Sequence, residues 1–355
     1  MSVSLKRELN IGNITISDSS EAFVIAEIGH NHQGNVELCE KFFEAAARAG
    51  ASAVKLQKRD NKSLYTESFF NNPYEGPTSF GSTYGEHREF LEFGKSEYKH
   101  LQTVARELNL VFFATAFDLP SADFLLDLDV PVIKIASGDL KSAPLISYLS
   151  KSGVPLIIST GGSSLKEVKR AMEDVDPSSV ALLQCTAAYP AEPEEMDLLV
   201  IDEFRRSFPN TVVGLSSHDR GIAFPVVAYA LGARIIEKHF TIDRSMKGTD
   251  HSFSLEPTGM GKMVRDLQLT RLALGDGQKK VHDREKEGIR KMGKMLVYSK
   301  PIDAGTVLTI NDFSLKSPQE GLNPQSIKLF VGSKLKCGVD ENQPAELQHL
   351  VEKDN

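Results

Sequence analysis

The stretch VVGLSSHDRGIAFPVVAYALGARIIEKHFT, residues 212–241, sets the fold class of this chain. It contains two short apolar runs that each end in a histidine, His218 and His239. One helix-length segment lies between them, from near Gly221 to near Gly232. This pattern predicts a strand, a crossover helix and a second parallel strand, which places both histidines at the same rim of a sheet. Two imidazoles at one rim indicate a metal site or a pair of acid–base groups.

The composition bounds the class of protein. With 355 residues, the chain is long enough for one large domain and a small one. Hydrophobic residues make up 41% and charged residues 25%, a balance typical of a globular protein with a sizeable core. The net charge of −7 excludes a general nucleic-acid binder, because there is no basic excess to neutralise phosphates.

The cysteines and the N-terminal sequence favour a reducing compartment. Cys39, Cys185 and Cys337 are far apart and odd in number, so we expect free thiols. The start, MSVSLKRELNIGNITI, lacks the apolar core of a signal peptide, and no run approaches the ~20 apolar residues of a membrane span. We therefore expect a cytoplasmic protein with no membrane contact.

The same strand–helix alternation extends over most of the chain. Apolar, β-branched runs occur at residues 23–29, 53–57, 111–116, 132–138, 155–160, 180–186, 212–217 and 234–241. Amphipathic segments separate them, which predicts a (β/α)8 TIM barrel. A doubly wound open sheet fits less well, because no glycine-rich dinucleotide fingerprint follows the first strand.

The pattern changes after the barrel. We predict a catalytic barrel over residues 1–280, a charged linker over 281–293 and a small β-rich domain over 294–355. The connection at residues 58–95 is unusually long and rich in aromatics, which favours an ordered active-site loop.

The predicted strand ends carry polar groups. Lys55 and Lys134 lie within otherwise apolar strands, and lysine is rarely buried without an anionic partner. One interpretation is an internal salt bridge to Glu27 or Glu237. The other is an anionic substrate, a phosphate or carboxylate, bound by both ammonium groups together with nearby hydroxyls. Those hydroxyls belong to Thr115, Ser137, Ser159 and Ser216.

Strand periodicity predicts that a histidine and the residue next to it in sequence point to opposite faces of the sheet. If His239 points toward the barrel axis, Lys238 points outward and has a structural role. Neutral imidazoles at His218 and His239 fit Mn²⁺, Fe²⁺, Co²⁺ or Zn²⁺, which would polarise a carbonyl substrate. His30 and His32 are weaker candidates, because the surrounding segment GHNHQGN has the residues of a turn and a helix cap.

These residues belong to segments that resemble one family, the PEP-dependent sialic acid (N-acetylneuraminate or nonulosonate) synthases. The matching segments are AEIGHNHQGN (26–35), KLQK (55–58), KIASGDL (134–140), ISTGG (158–162), LQCTAAYP (183–190), GLSSHDRG (214–221), EKHFT (237–241) and GTDHSFSLEP (248–257). The C-terminal segments KPIDAGTVLT (300–309), GLNP and VGSKL resemble the SAF, or antifreeze-like, domain.

The resemblance implies a TIM barrel with a C-terminal SAF cap, working as a domain-swapped homodimer. It implies condensation of phosphoenolpyruvate (PEP) with a mannose-type amino sugar, with release of phosphate. The residues it implies for PEP are Lys55, Thr115, Lys134, Ser137, Ser159 and Ser216. It implies His218 and His239 as ligands of Mn²⁺ or Mg²⁺. Around the reacting groups and the sugar it implies Glu27, Gln57, Asp139, Tyr189 and Asp250, with Glu27 or Asp139 handling the proton.

Two features distinguish this chain from many bacterial members. Asp139 stands where those members have glutamate, and the segment LKSPQEG, with Ser317, replaces a motif whose arginine reads the N-acetyl group. The segment TYGEHREFLEF (83–93) is closer to the animal-type enzymes, which act on 6-phosphorylated sugars. Lys62, His87 and Arg88 in the long loop are therefore candidates for contacting an acceptor phosphate.

Three alternatives remain open at this point. One is synthesis of a different nonulosonate: KDN, legionaminic or pseudaminic acid. A second is a Schiff-base sialic acid lyase or aldolase on the same barrel, although the sixth strand, LLQCTAAY, has no lysine. A third is that the C-terminal domain acts as a free binding module.

Overall fold

The computed structural model describes residues 7–352, which form two compact units. The first unit extends to Gly275 and the second begins at Asp276. Each has its own hydrophobic core. The segment predicted as a linker contains a helix, Asp283–Met292, within the second unit.

The first unit is a closed barrel of parallel strands preceded by an antiparallel hairpin. The hairpin strands are β1 (Glu8–Ile11) and β2 (Ile14–Ser17), whose apolar side chains join the barrel core. The barrel strands are β3 (Phe23–Gly29), β4 (Ala53–Lys58), β5 (Val111–Ala116), β6 (Ile133–Ile135), β7 (Leu156–Ser159), β8 (Val180–Cys185), β9 (Val212–Ser217) and β10 (Ile235–His239). Consecutive strands are neighbours, and β10 pairs with β3 to close the sheet. The predicted barrel is confirmed and the open sheet is excluded.

Helices connect the strands in the predicted alternation. The first is α1 (Val36–Arg48), whose cap is Asn35: the side chain accepts a hydrogen bond from Leu38 N at 2.7 Å. Three short helices, α2 (Asn61–Leu64), α3 (Glu67–Phe70) and α4 (Tyr84–Phe90), occupy the long connection after β4. The others in this unit are α5 (Lys95–Glu107), α6 (Leu119–Asp127), α7 (Ala143–Ser152), α8 (Leu165–Ala171), α9 (Val200–Ser207), α10 (Ala223–Ala230) and α11 (Pro257–Leu274).

The long connection after β4 is organised by its aromatic residues. The ring centroids of Tyr65 and Tyr84 are 5.2 Å apart, and that of Phe69 lies 4.7 Å from Tyr84. Tyr74 packs on His87 at 4.7 Å. Contacts of this kind hold a loop in one conformation by burying apolar area between its own side chains.

The second unit has little regular strand structure. It contains α12 (Asp283–Met292), β11 (Met295–Tyr298), β12 (Phe313–Lys316) and α13 (Ile327–Phe330). The strands β11 and β12 pair antiparallel, and further pairing comes from isolated bridges such as Ile302 with Val339. The turn residues that divide this region keep most extended segments too short to form regular strands.

The cysteine prediction is confirmed, since Cys39, Cys185 and Cys337 are all free thiols. Within residues 7–352, none of the helices combines the length and apolar character that a membrane span requires.

The closeness of β9 and β10 depends on Gly214. A β-carbon at this position would lie 2.5 Å from Leu183 Cδ2 and would also press against the carbonyl oxygen of Ile235. Gly214→Ala should therefore lower the free energy of unfolding by roughly 1–3 kcal/mol, because a buried backbone contact has no room to relax. Denaturant unfolding measures this loss. Gly76→Ala is the matched control, since nothing lies within 4 Å of the added carbon. Equal midpoints for the two variants would contradict the prediction.

Candidate active site

Barrel register brings the predicted polar residues together at the carboxyl ends of the strands. His239 on β10 is level with Glu27 on β3, and Glu27 is level with Lys55 on β4. On the next pairs, Gln57 is level with Thr115, and Thr115 with Lys134. Since these strands are parallel and adjacent, side chains that share the inward face meet at one rim.

A cavity of about 310 Å³ lies at this rim. The predicted site residues that line it are Glu27, Lys55, Gln57, Thr115, Lys134, Ser137, Ser159, Tyr189, Ser216, His218, His239 and Asp250. Asp139 is absent from this lining, although Ser137 and Gly138 belong to it. Asp139 ends a short 3-10 turn, Ser137–Asp139, that follows β6. The structure therefore places this carboxylate beside the cavity.

Both predicted lysines are buried and hold fixed positions. Lys55 Nζ donates to Thr115 Oγ1 at 2.9 Å and lies 2.7 Å from Glu27 Oε2, at an angle unsuited to a hydrogen bond. Lys134 Nζ donates to Ser159 Oγ at 2.6 Å and to the carbonyl of Ile135 at 2.9 Å. Burial lowers the pKa of Lys134. The internal salt bridge foreseen as one interpretation is thus present for Lys55, and the lysine also faces the cavity.

Two buried glutamates balance the lysines. Glu237 Oε1 lies 3.8 Å from Lys55 Nζ and 3.9 Å from Lys134 Nζ. Burial alone would raise the pKa of Glu237, but the charges of Lys134 and Lys55 lower it. Burial raises the pKa of Glu27 despite the opposing charge of Lys55. The two carboxyl groups therefore differ in proton affinity, as an acid–base pair requires.

The two histidines are adjacent, with ring centroids 5.4 Å apart. His218 Nδ1 lies 2.7 Å from the carbonyl oxygen of Thr186, which fixes the proton on Nδ1 and leaves the lone pair on Nε2. Burial lowers the pKa of His239 to about 4, so this ring is neutral at physiological pH. Its Nδ1 is buried without a hydrogen-bond partner and lies 3.7 Å from Asp250 Oδ2.

These features fit a divalent metal held by few protein ligands. Within residues 7–352, no group of three or more histidine, cysteine, aspartate or glutamate side chains is arranged to hold a metal ion. His218 and His239 are the two side chains in the cavity whose nitrogen atoms could bind such an ion. A neutral imidazole with an unpaired buried nitrogen, beside a second imidazole oriented by a backbone carbonyl, is suited to that role.

Tyr189 and Asp250 flank the histidines. The Tyr189 ring lies 4.1 Å from that of His218, and more than half of the Tyr189 side chain is exposed. Asp250 Oδ1 accepts a hydrogen bond from Thr249 Oγ1 at 2.8 Å. Both residues therefore line the cavity beside the imidazole pair.

His32 and Lys238 have structural contacts outside the cavity lining. His32 stacks on Phe93 at 4.1 Å and accepts a hydrogen bond from Gly34 N, as the turn prediction implied. Lys238 is buried, and its Nζ lies 2.7 Å from both Asp219 Oδ1 and the Asp219 carbonyl oxygen, which confirms its structural role.

The three charged residues of the long loop that were predicted to contact an acceptor phosphate lie in different environments. Arg88 lines the cavity, Lys62 is exposed, and His87 is buried with its Nδ1 accepting from Phe80 N at 3.1 Å. Sequence reasoning missed Arg59, which is buried and lines the cavity. Its signal was available: Lys55, Gln57 and Arg59 alternate along one face of an extended chain.

Comparison with known proteins shows the family. Residues 42–279 match the model of the NeuB family, and residues 293–351 match the SAF domain. The human N-acetylneuraminate-9-phosphate synthase is 38% identical over 333 residues, which cover 93% of this chain and 92% of that enzyme. The chain therefore belongs to the NeuB family, and the enzyme class inferred from sequence is confirmed.

Other relatives broaden the comparison. The N,N'-diacetyllegionaminic acid synthase of Legionella pneumophila is 32% identical, with 94% of this chain and 95% of that one covered. The crystal structure of the N-acetylneuraminic acid (sialic acid) synthetase of Leptospira borgpetersenii serovar Hardjo-bovis, in complex with citrate, aligns with a TM-score of 0.70 at 32% identity. That alignment covers 80% of this chain and 95% of the Leptospira chain.

The environment of Asp139 makes a pH-dependent prediction. Burial raises its pKa from 3.8 to about 6, so the folded chain loses stability as pH rises from about 4 to about 6, and this loss is complete above that range. Asp139→Asn should raise the free energy of unfolding at pH 7.5 by roughly 1–2 kcal/mol, and the gain should vanish as pH falls toward 4. Thermal unfolding across that pH range measures it. The exposed Asp174, changed to asparagine, is the control; a pH-independent gain at Asp139 would contradict the assignment.

Proposed function

We propose that this protein condenses PEP with an N-acetylmannosamine-type sugar, either free or as its 6-phosphate, to give a sialic acid or its 9-phosphate plus phosphate. The observation that carries the proposal is the arrangement of one cavity. Two buried lysines with their hydroxyl partners line it, and two adjacent imidazoles line it as well. The first group suits a phosphorylated carboxylate, and the second suits a carbonyl that has to be polarised.

PEP would be held at the lysine side of the cavity. Each ammonium group has three N–H donors, and Lys55 and Lys134 are held in place by Thr115 and Ser159. The remaining hydroxyls of the predicted set belong to Ser137 and Ser216. Together these donors would cover the phosphate and carboxylate oxygens of PEP. Since they are fixed before the ligand arrives, little reorganisation would accompany binding.

The acceptor would be held at the histidine side, in its open-chain form. A divalent ion, Mn²⁺ or Mg²⁺, held by His218 and His239 would act as a Lewis acid on the aldehyde oxygen. Tyr189 and Asp250 would hold hydroxyl groups of the sugar beside it. This position would set the aldehyde carbon against C3 of PEP.

The bond changes balance without a further reactant except water. C3 of PEP forms a bond to C1 of the aldehyde, and the aldehyde oxygen takes up a proton. The electron pair of the C2–C3 double bond forms this bond, which leaves C2 electron-poor. Water adds at C2 and loses one proton to a base. The C2–O bond to phosphate then breaks as the C2 hydroxyl becomes the keto group, and the hydroxyl proton leaves with the phosphate. Glu27 is the favoured proton carrier, because it lines the cavity and burial raises its pKa. Asp139 lies outside the lining and is less suited to that role.

The relatives support both the reaction and a phosphorylated acceptor. The human relative is named a 9-phosphate synthase and covers nearly the whole chain. Legionaminic acid synthases match at lower identity, so a different nonulosonate is the alternative within the same reaction class. Ser317 or a neighbour in LKSPQEG stands in place of the arginine of many bacterial members, which argues against recognition of the N-acetyl group by the SAF domain.

Phosphate release from PEP across an acceptor panel tests the proposed function. The panel contains N-acetylmannosamine, its 6-phosphate, mannose 6-phosphate and a 2,4-diacetamido sugar. We expect release with the mannose-type acceptors, abolished by a chelator and restored by Mn²⁺ or Mg²⁺. His239→Ala should lower the metal-restored rate at least ~100-fold, because half of the protein ligand set is lost. A chelator-washed His239→Ala enzyme with the normal rate would contradict the metal assignment.

A Schiff-base lyase is the second candidate, since Lys134 has a lowered pKa and shares the cavity with Tyr189. Borohydride in the presence of the sialic acid would then trap a covalent adduct. We expect no adduct, because Lys134 is engaged with Ser159 and the carbonyl of Ile135. An adduct on Lys134, found by peptide mass spectrometry, would favour the lyase and contradict the synthase.

A further part of the proposal is a domain-swapped homodimer in which the SAF domain of one subunit caps the site of its partner. The separate cores of the two units are compatible with this exchange. Light scattering should give twice the 39.0 kDa mass of the chain, and deletion of residues 293–355 should remove almost all turnover. A monomer, or a deletion variant with full activity, would contradict the swapped cap.

A further inference from the structure

The strand pairing next to the two histidines of the cavity ends just before them. The register of β9 and β10 closes with Ser217 level with Lys238, and His218 and His239 are the next residues along each chain. The centroids of the two imidazole rings lie 5.4 Å apart. A metal ion bound by both rings requires that these two chain ends keep a fixed separation.

Each histidine is attached to a different neighbour. The carbonyl oxygen of His218 accepts a hydrogen bond from Ala191 N at 3.2 Å, and its ring Nδ1 lies 2.7 Å from the carbonyl oxygen of Thr186. His239 is paired with β3, and its carbonyl oxygen accepts a hydrogen bond from Leu255 N at 2.8 Å. These contacts orient each histidine separately, and none of them joins one histidine to the other.

A buried ion pair behind the histidines connects the two chain ends. Lys238 Nζ donates hydrogen bonds to Asp219 Oδ1 and to the Asp219 carbonyl oxygen, both at 2.7 Å. Ser217 Oγ donates to the same Oδ1. Lys238 precedes His239 in sequence, and Ser217 and Asp219 are the residues on either side of His218. The ion pair therefore continues the connection between β9 and β10 to the level of the imidazoles, where the register has ended.

The ion pair lies outside the cavity and contributes geometry to it. Lys238 and Asp219 are 2% and 3% exposed, and neither belongs to the cavity lining. The cost of removing two charges from water offsets much of their attraction, so a buried pair adds little net stability. One ammonium group that donates to both the backbone and the side chain of Asp219 does, however, fix the position of that residue.

We propose that Lys238 and Asp219 are positioning residues, which hold His218 and His239 at the separation that binding of one divalent ion requires. This inference rests on the metal assignment within the proposed function. Lys238 acts through His239, to which it is joined in sequence, and Asp219 acts through His218 in the same way. Contacts one layer behind the metal ligands orient those ligands and thereby set the affinity for the metal.

Mn²⁺ binding to the whole protein, without PEP or a sugar, tests the inference. Electron paramagnetic resonance measures free Mn²⁺ during titration of the metal-free protein. The double variant Lys238→Met with Asp219→Asn removes both charges together, so that neither is left buried alone. We expect its Kd for Mn²⁺ to rise roughly 10- to 100-fold, the loss that follows when the partners of metal ligands are changed.

A second buried ion pair at a strand end provides the matched control. Lys58, the last residue of β4, donates from Nζ to Glu92 Oε2 at 2.8 Å, and both side chains are largely buried. Neither residue is next to His218 or His239 in sequence. Lys58→Met with Glu92→Gln should therefore leave the Kd for Mn²⁺ within about twofold of the wild-type value.

The Mn²⁺ dependence of turnover gives a second measurement. Phosphate release by the Lys238→Met, Asp219→Asn variant should rise toward the wild-type rate as Mn²⁺ is increased. KM for PEP should stay unchanged, because the lysine side of the cavity is intact. A raised KM for PEP, with a rate that no Mn²⁺ concentration restores, would indicate a general loosening of the barrel and contradict a positioning role.

Thermal unfolding in the presence of a chelator shows whether each variant is folded. A wild-type Kd for Mn²⁺ in the folded double variant would overturn the inference, and so would an equal loss in the Lys58→Met, Glu92→Gln control. If the double variant does not fold, Asp219→Asn alone decides. It keeps the side-chain shape and an acceptor oxygen, so we expect a smaller rise in Kd, and an unchanged Kd would overturn the inference.

The same titration separates this inference from the proposed function. A wild-type protein that binds Mn²⁺ no more tightly than His239→Ala would overturn the metal assignment and the positioning role together. If Mn²⁺ binding responds to the variants as expected but no acceptor releases phosphate from PEP, the positioning role is supported and the proposed function is contradicted.

Discussion

The buried charges at the barrel rim constrain the rest of the site. Lys55 and Lys134 cannot stay ionised inside an apolar barrel unless carboxylates lie close by, and Glu27 and Glu237 meet that requirement from neighbouring strands. The barrel has to close for this to happen, because Glu237 and Glu27 stand on the paired strands β10 and β3. A shift of one residue in this pairing would turn one carboxylate outward and leave a lysine uncompensated.

The way in which charge is compensated differs between three regions of the site: the lysines, the histidines and the arginines. At the lysines, the carboxylates of Glu27 and Glu237 compensate the two ammonium groups. At the histidines, burial keeps His239 neutral, which suits metal binding and disfavours a charged imidazolium. At Arg59 and Arg88, no ion pair with a carboxylate within 4.0 Å occurs among residues 7–352, and the two guanidinium groups contact an aromatic ring, an amide and a phenol.

Much of this arrangement could be predicted from sequence because strands have a period of two. Alternation paired Lys55 with Gln57 and turned Lys238 away from His239, and the structure confirms both. The barrel followed from the eight apolar runs that alternate with amphipathic segments, and the SAF domain followed from the resemblance of its segments to that family. Alternation fails where the strand ends: Asp139 lies in a 3-10 turn that takes it out of the lining, and Arg59 lies just past β4. Loop residues also depend on packing that no local pattern encodes, which is why Arg88 reaches the cavity and His87 does not.

The long connection after β4 is built on its own aromatic contacts, with Tyr84 touching Tyr65, Phe69 and Tyr74. It also supplies Arg88, whereas the lysines, the glutamates and His239 stand on barrel strands and His218 directly follows β9. Under the proposed function, substitutions in this segment would change the surroundings of the acceptor without disturbing the balance of charge that the barrel requires. During evolution, the acceptor sugar could therefore change through substitutions in the long connection after β4, while the residues on the barrel strands stayed the same.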